Sequence, residues 1–272
     1  MKIIFIKLYT ITIFICLLSN LFSQFQVSPM LIETFTDKNK SSLSTINIRN
    51  GNDTELELAI YLKDKAYIDG KETEALAGTS PNSCADWIFY TPSTLKLGPK
   101  ESSSVRINMT VPDSAIGTCW SHIFIEETSP PKPNNVKIKG NTINFAVNMR
   151  VGVLLTQTVP GTGSRNGIVE KIDFTYSDDM TNGFINFDFL NTGNLISDCN
   201  GWVEYRDIDG LAIKKDNLGE IPRIYPQERR SFTVPIPTNL IDGEYSALAV
   251  IDYGGTQLVG GEVIFKFDQN DE

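Results

Sequence analysis

Ile46-Asn47-Ile48-Arg49-Asn50-Gly51-Asn52 alternates apolar and polar side chains before running into Asn and Gly, and the same order returns as Phe187-Asp188-Phe189-Leu190-Asn191-Thr192-Gly193-Asn194. Alternation marks a strand with one face buried, and the Asn/Gly cluster after it reads as a turn at positions that tolerate positive φ. The residues beyond each stretch match as well. The first half continues with Tyr61, Asp64 and Asp69-Gly70, then Gly98-Pro99-Lys100-Glu101, Val105, Pro112 and Gly117. The second continues with Tyr205, Asp207 and Asp209-Gly210, then Tyr225-Pro226-Gln227-Glu228, Phe232, Pro237 and Gly243. From the Pro of the Pro-x-Glu turn to the later glycine is 18 residues in one copy and 17 in the other, while the middle section differs by about 14. Such a repeat predicts one scaffold used twice, with a single variable insertion.

Alternating or β-rich segments recur at 44–49, 55–63, 87–90, 104–111, 120–126, 143–158, 184–190, 201–207, 230–236, 245–253 and 262–267, between clusters of Gly, Pro, Asn and Asp. Helical periodicity is almost absent past the N-terminus. The fold class is therefore all-β, two sandwiches in tandem. Pro160-Gly161-Thr162-Gly163-Ser164-Arg165-Asn166-Gly167 offers no apolar side chain to bury and reads as the junction. The expected division is a signal at 1–23, a first sandwich at 24–158, a linker at 159–167 and a second sandwich at 168–268.

Residues 1–23 carry Lys2 and Lys7, an apolar run from Leu8 to Leu18 and a polar end at Ser19-Asn20-Leu21-Phe22-Ser23, the pattern of a cleaved secretory signal. Ser19 and Asn20 interrupt the run too early for a membrane span. Export places the remaining cysteines in an oxidising compartment. Cys84 and Cys119 either form a bridge across a loop of about 35 residues or stand as buried small hydrophobes, and Cys199 is left over.

The balance of 24 Lys and Arg against 33 Asp and Glu, a net charge of −9, argues against nucleic acid as partner. His122 is the single histidine, so His-rich zinc sites and His pairs are excluded. No Cys/His cluster, Gly-x-Ser-x-Gly elbow, Walker loop or EF-hand loop is present, so neither metal, cofactor nor small-molecule substrate is expected. Nothing points to an enzyme.

Asn50-Gly51-Asn52, Trp87-Ile88-Phe89-Tyr90-Thr91-Pro92, Leu95-Lys96-Leu97-Gly98-Pro99, Val105-Arg106, Val111-Pro112 and Trp120 through Glu126-Glu127 stand in an order that resembles the first domain of PapD-like periplasmic pilus chaperones. The likeness covers about Phe25 to Thr158. The second half, at Asp242-Gly243-Glu244-Tyr245 and Val250-Ile251-Asp252-Tyr253-Gly254-Gly255, looks more like the companion domain of related exported bacterial proteins. The resemblance implies two immunoglobulin-like domains set at an angle, a periplasmic location and a last strand of domain one donated to a subunit that lacks a strand of its own.

Ile143, Phe145, Val147, Met149, Val151, Val153 and Leu155 fit that donated strand, apolar at strict period two, with Asn144, Asn148, Arg150 and Thr156 on the other face. The same alternation also fits a strand facing its own core. The family anchors a client carboxylate with an arginine in the first strand and a lysine in the last. Here the first strand, Phe25 to Ile32, has no cation, and Gly152 stands at the lysine position. Arg150, two residues away on the same strand face, is the remaining candidate for an anion contact. The expected partners are exported protein subunits or envelope proteins. The alternative is a structural or adhesion module of an envelope complex, at the cell surface or secreted.

Overall fold

The computed structural model describes residues 25–68, 71–128, 134–138, 141–145, 148–177 and 182–268. The signal segment lies outside them, as do Val147 and the side chains of Ile143 and Phe145. The first half holds β1 (Phe25–Ser28), β2 (Leu31–Phe35), β3 (Ser41–Asn50), β4 (Leu56–Ile68), β5 (Lys71–Leu76), β6 (Ile88–Thr91), β7 (Thr94–Leu97), β8 (Ser102–Thr110), β9 (Thr118–Glu127), β10 (Asn134–Ile138), β11 (Asn141–Phe145) and β12 (Arg150–Thr158). The second holds β13 (Gly167–Tyr176), β14 (Gly183–Asn191), β15 (Asn200–Asp207), β16 (Ala212–Asn217), β17 (Arg229–Pro235), β18 (Gly243–Asp252) and β19 (Val259–Phe267).

In the first sandwich the sheet β1-β3-β8-β6 faces the sheet β2-β12-β9-β4-β5, with β7 paired to β4 beside it. In the second, β13-β14-β17 faces β16-β15-β18-β19. Each half has its own apolar core. Ile46, Ile48, Val105, Ile107, Ile123 and Val153 belong to the first, and Ile185, Phe187, Phe189, Val203, Tyr205 and Ala247 to the second. Period-two side chains dictate this: β14 buries every second residue from Gly183 to Asn191. The chain is two immunoglobulin-like β-sandwiches in tandem, as the alternation predicts.

The repeated motif has a common structural role. Asn50 and Asn191 are both fully buried. Asn50 donates through Nδ2 to the carbonyls of Thr54 (2.8 Å), Gly98 (2.9 Å) and Leu97 (3.2 Å), and its Oδ1 accepts from Asn52 N (2.8 Å). Asn191 donates to Leu195 and Ile224 carbonyls (both 2.9 Å) and accepts from Gly193 N (3.0 Å). The turn that meets each Asn is closed by its own glutamate: Gly98 N donates to Glu101 (2.6 Å) and Tyr225 N to Glu228 (2.8 Å). Positive φ falls on Lys100 (61°) and Gln227 (66°), the middle residues of the Pro-x-Glu turns, and not on the asparagines. The asparagines are strand-end hubs that satisfy buried carbonyls.

Two expectations are corrected. The run 143–158 is two strands: β11 folds back on β10 with Phe145 opposite Asn134, and Asn148 and Met149 carry no strand before β12 begins. The cysteine bridge is also absent. Cys84 and Cys119 are free thiols, both buried in the first core as small apolar side chains. Burial pushes the Cys119 and Cys199 thiols up to about 11, and raises Cys84 as well, with Cys119 nearby adding to the effect. A thiol reagent at pH 8 is therefore expected to modify none of these three until denaturant is added, because the reactive species is the thiolate. A purified chain lighter by two hydrogens, with Cys84 and Cys119 unreactive even when unfolded, would contradict this.

Candidate partner-binding edge and interdomain cleft

β12 is the last strand of the first sandwich, and its two sides differ. Along one side it pairs with β9 throughout, from Arg150 opposite Glu126 to Thr158 opposite Thr118. Along the other, β2 covers it in parallel only from Leu154 to Thr158. Among the described residues no strand pairs with that side of Arg150–Val153. Unpaired backbone donors and acceptors on a sheet edge are a template for a further strand. This open stretch, Arg150-Val151-Gly152-Val153, has one charge, whereas β5 at the opposite edge of the sheet carries Lys71, Glu72 and Glu74.

The proposed donor residues separate on this strand. Val153 and Leu155 are completely buried in their own core, which fixes the register of β12, and Met149 and Val151 pack against the same core while half-buried. A one-residue slip would place those valines on the outer face, so the open edge is held in one register.

On the outer face Arg150 is occupied. It bonds Glu74 at 2.9 Å and lies 4.5 Å from the centre of the Phe124 ring. The Lys63 ammonium, reinforced by Arg150, holds the Glu74 carboxyl below its ordinary range. Phe124 also explains the glycine at position 152. The ring lies over Gly152, where a Cβ would come within 2.9 Å of it. Tyr61 stacks on Phe124 at 5.8 Å and donates to Glu126.

The other end of β12 runs into a cleft between the sandwiches, a cavity of about 130 Å³ lined by Glu33, Phe35, Thr118, Thr156, Thr158, Arg165, Leu195, Ile196, Asp198 and Arg223. The cations here come from the junction and the second sandwich. Arg223 pairs with Glu33 of β2 and with Asp198 (3.0 Å), and Arg165 donates to the Ile196 carbonyl (2.8 Å). Three further contacts frame the cleft. Asn194 O accepts from Thr118 N (2.8 Å), while Asn194 Oδ1 accepts from Ser164 N (2.6 Å). Trp120 meets Tyr225 edge-on at 5.0 Å with its Nε1 donating to the Lys65 carbonyl (3.0 Å). Gly117, at φ 65°, sits so close that a Cβ would collide with the Asn194 carbonyl oxygen. Glu33 and Arg223 are 190 positions apart, so no local signal joins them.

No family model matches the sequence, and no curated protein matches it. Several solved structures are similar in fold. A chain of the chaperone–tip adhesin complex of CFA/I fimbriae is 16% identical, with 87% of this chain and 97% of that one covered and a TM-score of 0.47. The class 5 fimbriae chaperone CfaA is 16% identical over 89% of this chain and 98% of its own, with a TM-score of 0.44. The E. coli chaperone DraB is 15% identical over 87% and 95%, with a TM-score of 0.43. What the chain is similar to, across both sandwiches, is the fold of the fimbrial chaperones.

Proposed function

We propose that this protein is an exported, non-enzymatic binding factor of the periplasm that takes an extended segment of an exported subunit onto the open edge of β12. The observation that carries this reading is the half-covered strand: Leu154–Thr158 is sealed by β2, while among the described residues no strand pairs with the same side of the nearly uncharged Arg150–Val153. Backbone hydrogen bonds would hold the client, and Val151 would present its half-buried side chain to the client's inner face. The sequence resemblance to pilus chaperones names fibre subunits as the clients to try first.

A pull-down from the native envelope fraction tests it. The wild type should retain a subunit-sized polypeptide that a folded Val151→Asp variant does not, since a carboxylate on the inner face of the joined strands would be buried without a partner. Hydrogen exchange on the wild-type complex gives an independent reading: amides at 150–153 should slow on capture. Capture unchanged in the variant, or protection confined to other strands, would instead make the sandwiches a structural module of an envelope complex.

A further inference from the structure

The four-stranded sheet β1-β3-β8-β6 turns one face to the first core and the other to solvent. Its strands contain no acid, and their only charged residues are Arg49 and Arg106, in a chain with 33 Asp and Glu against 24 Lys and Arg. Both arginines point outward and are exposed. Among the described residues neither has an ion-pair partner, whereas Arg150, Arg206, Arg223, Arg229 and Arg230 are each paired with a carboxylate.

Register places two large apolar side chains on the same face. Leu43, Asn108 and Phe89 form one row across β3, β8 and β6, and Thr45, Arg106 and Thr91 form the next. Leu43 is 82% exposed and Phe89 69%. Directly opposed residues lie about 5 Å apart, so Leu43 and Phe89 stand roughly 10 Å apart with Asn108 between them. The row of Arg106 is about 7 Å further along, and Arg49 about 13 Å beyond that row. The remaining outward residues of this sheet are Ser, Thr, Asn and Gln.

We propose that this outer face docks an acidic segment of a partner protein, with carboxylates on Arg106 and Arg49 and an apolar side chain seated between Leu43 and Phe89. Charge decides the occupant. An acidic chain that pairs five of its other six arginines with carboxylates, and holds the sixth, Arg165, on the Ile196 carbonyl, leaves these two open, so a carboxylate meets no competitor there. Two copies meeting face to face would oppose like charges. The site is remote from the β12 edge in the sheet order and does not depend on strand capture.

Panning displayed random peptides against the purified chain tests the assignment. Selected sequences should be rich in Asp and Glu and carry an aromatic or long aliphatic residue. Their affinity should fall about 10-fold or more in Arg49→Glu/Arg106→Glu, and by a similar factor in Leu43→Ser/Phe89→Ser. All four positions are exposed, so both double variants should fold. Val151→Asp should leave the affinity within about 2-fold, as expected for a distant site. Peptides without acid enrichment, affinities that survive the double variants, or a loss with Val151→Asp would each overturn the proposal. Concentration-dependent dimerisation abolished by the same double variants would give the face to a second copy and overturn it too.

Discussion

Replacing Asp64 by alanine is expected to lower the unfolding free energy by about 3 kcal/mol. The carboxylate is fully buried. Its Oδ1 accepts from Ser83 Oγ and Ser121 Oγ, both at 2.9 Å, and its Oδ2 from the backbone of Thr79 (3.1 Å) and Ser80 (3.2 Å). It thereby ties the loop before the 3-10 turn at Ala85–Trp87 to strands β4 and β9. Alanine would leave the Ser83 hydroxyl and the Thr79 and Ser80 N–H groups without this acceptor, each at a cost of roughly 1 kcal/mol, while Ser121 Oγ keeps the Lys63 carbonyl (3.2 Å). Asp64→Asn keeps the volume and one acceptor and should lose about half as much. Urea unfolding of the three proteins at pH 7 gives the comparison, and an alanine loss below about 1 kcal/mol would show that water or rearrangement satisfies those donors.

Acidification from pH 7 to 5 is expected to remove about 2 kcal/mol of stability through His122 alone. Burial pushes this imidazole down to about 4, with nearby Lys65 acting in the same direction. Its Nδ1 is shielded from solvent and has no hydrogen-bond partner among the described residues. The unfolded chain takes up a proton near pH 6.5 and the folded chain only near 4, so between these values the unfolded state binds more protons. Stability therefore falls as pH drops through that window and is unaffected by this group above it. His122→Phe preserves the stacking on Phe124, 6.1 Å away, and removes the titration. Its loss between pH 7 and 5 should be about 2 kcal/mol smaller than that of wild type. Equal losses in the two proteins would show that His122 is protonated in the fold.

The sandwiches were legible wherever one face of a strand is buried without interruption, as in β3, β8 and β14. β13 was not. It buries Val169 against the second core and then Ile172, Phe174 and Tyr176, so the inward positions change parity partway along. A bulge between Glu170 and Asp173, with Lys171 at φ 52°, produces the shift and erases the period-two signal. β16 escaped for another reason: it is an edge strand almost without buried residues, so its sequence carries no alternation to read. The apolar series at 143–155 identified β12, but its spacing does not say which side of the strand β2 would cover. The cleft was illegible altogether, because Glu33, Arg165, Asp198 and Arg223 meet only when two separately folded cores are brought together.

The paired Asn and Pro-x-Glu closures leave the length between them unspecified. Asn50 and Pro99 are 49 positions apart and enclose β4 to β7, while Asn191 and Pro226 are 35 apart and enclose only β15 and β16. Both spans end in the same hydrogen bonds, and lengthening such an arch costs only about 0.6 kcal/mol per doubling. The shorter arch is thus a natural graft site. Foreign loops inserted between Gly219 and Glu220, both exposed, would touch neither the Asn191 hub nor the turn that seals it, so the second sandwich could carry new recognition sequences without being redesigned.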